Sequence, residues 1–257
     1  MNGKVVIITG STGIGAAASR FAAAAGAKLL IATNDEVSGF ELATELRGEC
    51  WAGDLTRRDS ASSILAQCLS KFGRVDALFN VAGLSGRRFG DGPIHELDDA
   101  GWETTLARNL TVTYRMSRAV IGRMLEQESA NGAGGAIVNV GSVLARAPEP
   151  RHFATHAYAA AKGAVEALSL SMAAYYAPHG IRVNVIAPGM ARTPAGERTE
   201  AAAGLAAFLR KKQPLTSGMI DVEDISRAAI FLLSGAARAI TGQVLAVDAG
   251  WTLTGAE

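Results

Sequence analysis

Cysteine is scarce in this chain: Cys50 and Cys68 are the only two, and neither belongs to a CxxC pair. That argues against a disulfide-stapled fold and fits a reducing compartment. No His/Cys/Asp cluster has metal-ligand spacing, so no metal is expected. Excess charge of one sign is also missing, with 25 basic against 24 acidic residues, which gives no electrostatic case for nucleic acid or a membrane surface. No apolar run approaches the ~20 residues needed to span a bilayer. No charged leader or cleavage site precedes the first strand-like run, and the expected location is cytoplasmic. Neither a linker nor a 20–50-residue repeat divides the chain, so residues 1–257 read as a single domain. With 49% hydrophobic and 19% charged residues, the composition is that of a compact folded protein.

What is present is alternation. Short apolar runs at Val5–Thr9, Lys28–Thr33, Glu49–Gly53, Ala77–Asn80, Ala136–Val140, Arg182–Ile186 and Gln243–Val247 read as strands. Between them, Ile14–Ala25, Val37–Leu46, Ser60–Phe72, Asp99–Glu126, Thr155–Ala177 and Val222–Leu233 read as helices. Several strands are apolar throughout, as in a parallel sheet covered on both faces. The expected fold class is α/β: a Rossmann-like, doubly wound parallel sheet of about seven strands with helices on both faces. Ser129–Gly135 reads as a flexible turn. The irregular stretch around 190–217, after the sixth strand, is the candidate substrate lid.

Thr9-Gly10-Ser11-Thr12-Gly13-Ile14-Gly15 joins the first strand to the first helix. Its glycines permit a tight turn, and the helix N-terminus offers free N–H groups to a pyrophosphate. The Ala-rich helix that follows would pack closely on the sheet. The second strand ends Ala32-Thr33-Asn34-Asp35. No Arg or Lys stands at its tip or in the glycine loop to pair a 2′-phosphate. Asp35 would bind ribose hydroxyls or cap the next helix. The balance tips to NAD(H), with NADP(H) as the alternative.

Tyr158 and Lys162 stand four residues apart, on one face of a helix. A free phenol has a pKa of ~10, so ionising it at pH 7 costs about 4 kcal/mol. A nearby ammonium in a partly desolvated site offsets part of that cost, so the pair makes a general acid/base for an alcohol or carbonyl. Ser142, at the end of the fifth strand, would bond a substrate oxygen or simply shape a turn. Asn109, a poor helix former inside a helical pattern, would hold a water, kink the helix or face solvent.

In this order, the glycine loop, Asp54-Leu55, Asn80-Val81-Ala82-Gly83, Asn109-Leu110, Ser142, Tyr158-xxx-Lys162 and Pro188-Gly189-xxx-Thr193 resemble the short-chain dehydrogenase/reductase family. The tail from Thr241 to Gly250 matches as well, so the resemblance covers essentially the whole chain. It implies a nicotinamide-dependent oxidoreductase of alcohols or ketones, with Tyr158 as acid/base and Ser142 orienting the carbonyl. Lys162 would lower the Tyr158 pKa and bind the nicotinamide ribose, and Asn109 would anchor a proton-relaying water. Gly10 to Gly15, with Asn34 and Asp35, would cradle the adenosine diphosphate, and Asp54 would hold the adenine amino group beside Leu55. Asn80, Ala82 and Gly83 would support the cofactor's centre, and Pro188, Gly189 and Thr193 would line the nicotinamide side. Homodimers or homotetramers would be usual. A non-catalytic cofactor-binding sensor or scaffold, or an epimerase-type member, is the alternative.

Two departures stand out. The glycine loop is one residue shorter than the family's TGxxxGIG and approaches the TGxxG of its extended branch. Extra residues at 148–153 also lengthen the gap between Ser142 and Tyr158. Arg146, Arg151, His152 and His156 make that segment basic, so it would be a solvated loop or, over the pocket, a sign of a polar or anionic substrate.

Overall fold

Val5, Val6, Ile7 and Ile8 are apolar on both faces of one extended run, so the strand they form must be covered above and below. In the computed structural model, which describes residues 1–127, 134–194 and 204–255, that strand sits inside one parallel sheet. Its strands are β1 (Val5–Thr9), β2 (Lys28–Thr33), β3 (Glu49–Ala52), β4 (Ala77–Asn80), β5 (Gly135–Val140), β6 (Ile181–Pro188) and β7 (Val244–Val247). They lie in the order β3-β2-β1-β4-β5-β6-β7. The chain winds outward from β1 to β3, then restarts at β4 on the other side. That reversal opens a crevice beyond the carboxyl ends of β1 and β4.

The helices are α1 (Gly13–Ala24), α2 (Glu36–Leu46), α3 (Ser60–Phe72), α4 (Asp99–Leu106), α5 (Val112–Glu126), α6 (His156–Tyr176), α7 (Leu205–Lys212) and α8 (Val222–Leu233). Alternate strand residues serve the two faces. Val6, Ile8, Phe79 and Val138 pack with Ala18 and Ala22 of α1 and Ala229 of α8. Ile7, Leu78 and Ile137 pack with Ile64 of α3 and with Met116 and Val120 of α5. Each such buried aliphatic side chain contributes about 1.5–3 kcal/mol. Among the described residues no helix is long and apolar enough to cross a membrane. Both cysteines are free and buried.

The expected elements are all found, with one interruption. The helix expected over Asp99–Glu126 is broken by a wider π-helical turn at Ala107–Thr111, with Asn109 wholly buried at its centre. The cause is the Asn109 side chain, whose Nδ2 donates to the carbonyls of Thr105 and Leu84, each at 2.9 Å. A side chain that captures backbone acceptors in this way competes with the regular ladder. β6 runs two residues beyond its expected end because Ala187 and Pro188 still pair with Ala246 and Val247. Of the turn expected at Ser129–Gly135, residues 129–133 lie outside the described residues.

Candidate active site

The glycine loop keeps its turn despite its missing residue. Gly10 and Gly13 adopt φ of +107° and +52°, values that disfavour other residues. Gly15 is required by proximity, since a Cβ there would stand 2.3 Å from the Gly10 carbonyl oxygen. Between them Ser11 turns inward, its Oγ 2.8 Å from Thr33 Oγ1 and 2.7 Å from Ser38 Oγ. The shortened loop is thus laced to the end of β2 and the start of α2. Thr12 precedes α1 and makes no side-chain cap; the Gly15 N–H returns to the Thr12 carbonyl at 3.1 Å, and Gly13 and Ile14 of the first turn line the crevice.

Beside this loop a groove of about 200 Å³ runs past Thr33, Asn34 and Asp35 on one side and Asp54, Leu55 and Ala82 on the other. Asp35 does cap α2, accepting from the Ser38 N–H at 3.2 Å, and it also lines the groove. Asp54 accepts from the hydroxyl and N–H of Thr56, at 2.7 and 2.9 Å, and these bonds hold its carboxyl below the usual range. Arg108, delivered by the π-turn, also lines this groove and stands near enough to Asp54 to lower its pKa further.

Along the same edge, a second cavity of about 390 Å³ opens at the end of β5. The two share Thr12, Val81, Gly83 and Leu84 as walls. Lys162 is 3% exposed, and its Nζ donates to the Val140 carbonyl at 2.8 Å. Burial without a carboxylate partner pushes its pKa down to about 8. Two residues beyond Val140, Ser142 lines the same cavity as Tyr158, near enough to the phenol to act on its pKa. Desolvation raises the phenol's pKa, and the Ser142 hydroxyl partly counters it. Lys162 Nζ lies 5.6 Å from the centre of the Tyr158 ring. Ser142, Tyr158 and Lys162, far apart in sequence, therefore meet in one cavity, with Pro188, Gly189 and Thr193 on another wall.

The helix carrying Tyr158 and Lys162 has an unusual cap. Thr155 makes no side-chain bond to the first turn of α6. Instead Asp91 supplies the acceptors, its two carboxylate oxygens taking the N–H groups of Ala157 and Tyr158 at 2.9 Å each. No spacing in the sequence announces a cap from 66 residues away.

Three expected site residues line neither space. Gly15 lies under the loop, packed on Gly10. Asn80 pairs across the sheet, its Nδ2 donating to Asn139 Oδ1 at 2.8 Å and to Ser117 Oγ at 3.2 Å. Asn109 is tied to Leu84, accepting from its N–H at 3.1 Å while donating to its carbonyl. All three support the walls from behind.

The basic segment needs a larger correction. Arg146 pairs with the buried Glu166 at 2.6 Å, and His156 Nδ1 contacts the Gly92 carbonyl at 2.7 Å. The His152 ring centre lies 4.8 Å from that of Phe208, and Arg151 is exposed. Buried Glu149 folds the insertion back by accepting from the N–H groups of Arg151 and His152. What the insertion presents to the cavity is Phe153, with Thr155 following. The cationic wall comes from Arg87, in a short turn after β4 that drew no attention in the sequence, and Trp251 closes the floor. Of the expected lid, Met190, Ala191, Thr193 and Pro194 line the cavity, and residues 195–203 lie outside the described residues.

The cradle suits a dinucleotide. A methyl on Gly83 would come 2.7 Å from Asn109 Oδ1 and 3.2 Å from Lys162 Nζ, so only glycine leaves room between the two spaces. A buried ammonium held by a single strand carbonyl, in a cavity that no carboxylate lines among the described residues, matches sugar hydroxyls.

Residues 8–252 match the family model described as Enoyl-(Acyl carrier protein) reductase. The chain is 35% identical to the cis-4-hydroxycyclohexanecarboxylate dehydrogenase of Sinomonas cyclohexanicum, over 97% of this chain and 96% of that one. It is 34% identical to the D-threitol dehydrogenase of Mycolicibacterium smegmatis, over 98% and 94% of the two chains. The solved 3-ketoacyl-(acyl-carrier-protein) reductase from Brucella melitensis, complexed with NADH, aligns with a TM-score of 0.86 at 29% identity. That alignment covers 98% of this chain and 99% of the other.

Proposed function

This chain belongs to the short-chain dehydrogenase/reductase family of NAD(P)-dependent oxidoreductases, and we propose that Ser142, Tyr158 and Lys162 interconvert a small alcohol and its ketone. The observation that carries this reading is the meeting of Ser142 and Tyr158 in one cavity with a buried Lys162 whose Nζ is held at the Val140 carbonyl. The nicotinamide, when bound, accepts a hydride from the alcohol carbon or delivers one to the carbonyl carbon. Tyr158 takes the hydroxyl proton in one direction and returns it in the other. Ser142 holds the substrate oxygen toward the phenol. The ammonium of Lys162, 5.6 Å from the ring centre, stabilises the phenolate by on the order of 3 kcal/mol at an effective dielectric near 20.

Lys162 would also hold the nicotinamide ribose, and Asn109 would set the outer end of a proton path. A Cβ on Gly83 would meet both, at 2.7 and 3.2 Å, and that proximity supports the pairing. Gly10 to Ile14 would hold the pyrophosphate and Asp54 the adenine. NAD(H) is the proposed cofactor: Asp35 and the hydroxyls of Ser11 and Thr33 stand at the tip of β2, while Arg108 stands on the Asp54 side. The substrate is proposed to be a small hydroxylated molecule, as the names of the two dehydrogenase relatives indicate. A single domain with its cover around 190–217, a cytoplasmic location and assembly as dimers or tetramers complete the proposal. Exposed Leu170 and Tyr175 on α6 support the assembly.

The test combines cofactor titration with turnover on an alcohol and ketone panel. Tyr158→Phe is expected to lose at least about a thousandfold in turnover, consistent with removing a general acid/base, while NAD⁺ still binds and binds more tightly than NADP⁺. Turnover retained in that variant would refute the assignment.

A further inference from the structure

We propose that Arg87 forms an anion subsite on the wall of the substrate cavity, so that the preferred alcohol or ketone carries a carboxylate on an apolar body. The inference rests on the oxidoreductase reading and adds a substrate class to it. Among the described residues, two cations and no Asp or Glu line this cavity. Lys162 is held against Val140 at the end of β5, beside the phenol. Arg87 has no part in that proton chemistry, yet its charge faces the same space.

Its placement is fixed from three directions. One Nη donates to the His152 carbonyl, and the guanidinium carbon lies 5.5 Å from the centre of the Phe153 ring. A planar guanidinium over an aromatic face keeps its remaining donors in a set orientation. Arg87 also belongs to an anchored stretch. Its neighbour Gly86 is packed so closely that a Cβ would stand 2.3 Å from Thr105 Oγ1, and Asp91, four residues on, caps the helix bearing Tyr158. The spacing between Arg87 and the phenol is therefore built into the fold. Arginine carries five N–H donors in a fork that fits a carboxylate, and the bond to His152 takes one side of it. Phe153 and Trp251, with ring centres 5.8 Å apart, offer an apolar seat for the body of the molecule.

The test is calorimetric titration of the NAD⁺-loaded protein with benzoate and with benzamide, which share a body and differ in charge. Benzoate is expected to bind at least tenfold more tightly. Arg87→Gln should erase that preference, leaving benzamide within about twofold, and Arg87→Lys should retain part of it. Equal binding of the two probes by the wild type would overturn the proposal, as would absence of binding by either, or a benzoate preference that survives Arg87→Gln. If Arg87→Gln weakens both probes equally, the arginine is only a tie between two loops and the subsite is refuted. Thermal melting checks that each variant is folded. The titration needs no turnover, so its failure is separable from that of the Tyr158 assignment.

Discussion

At the groove beside β2 the wall at the glycine loop is a tight turn, with Gly10 at the groove, Gly15 packed beneath it and Ser11 tying the loop to Thr33. The cavity beside β5 adds longer side chains, among them Arg87, Phe153, Met190 and Trp251, and the two groups that would move protons are desolvated. The first end is preorganised by shape and the second by electrostatics. The glycine turn itself is built from a single continuous segment. A desolvated phenol and ammonium need cover from many segments, and the cavity draws on β5, α6, the turn after β4, the stretch after β6 and the C-terminal Trp251.

The largest effect that would break this contrast is expected at Lys162. Lys162→Met should cost at least about a hundredfold in turnover, given the Coulombic support lost by the phenolate, yet stabilise the fold at neutral pH. Burial lowers the Lys162 pKa from 10.5 to about 8, a displacement worth about 3 kcal/mol. Loss of the bond to Val140 offsets about 1 kcal/mol of that gain. The sign follows from linkage: between about pH 8 and 10.5 the unfolded chain binds more protons, so wild-type stability rises with pH across that window. Denaturant unfolding at pH 7 and pH 10 should show this rise in the wild type and a smaller one in the variant.

Next is Gly15→Ala, which acts on shape alone. Its Cβ would stand 2.3 Å from a backbone oxygen, so α1 must shift, at about 1–3 kcal/mol. Calorimetry should show NAD⁺ affinity falling by tenfold or more. If affinity is unchanged, the loop does not cradle the cofactor's phosphates. Asp91→Ala should have a smaller effect at the other end. Loss of two acceptors at the start of α6 should cost about 1–3 kcal/mol of stability and lower kcat several-fold, with NAD⁺ affinity preserved. A fall in NAD⁺ affinity equal to the fall in kcat would show that the two ends are not separable.

The same contrast explains what the sequence made legible. The glycine loop and the Tyr158/Lys162 pair are local patterns, readable because a tight turn and a helix face are each set by a few consecutive residues. The fold class followed from strand and helix periodicity. Arg87, Asp91 and Arg108 were invisible because each acquires its neighbours through tertiary placement. The basic residues around the insertion were open to two readings for the same reason: Arg146 reads as a free cation until Glu166, 20 residues on, is brought beside it. The anionic-substrate hint now rests on a residue the sequence left unremarked.

The most direct measurement of the central claim is the pH dependence of kcat/KM for alcohol oxidation in the wild type and in Ser142→Ala. The Ser142 hydroxyl lowers the Tyr158 pKa against the upward push of burial. Removing it should move the basic-side rise of the profile to higher pH, as well as reduce the rate. If the rate falls while the profile keeps its position, Ser142 and Tyr158 do not act as one proton-transfer unit, and the account is contradicted.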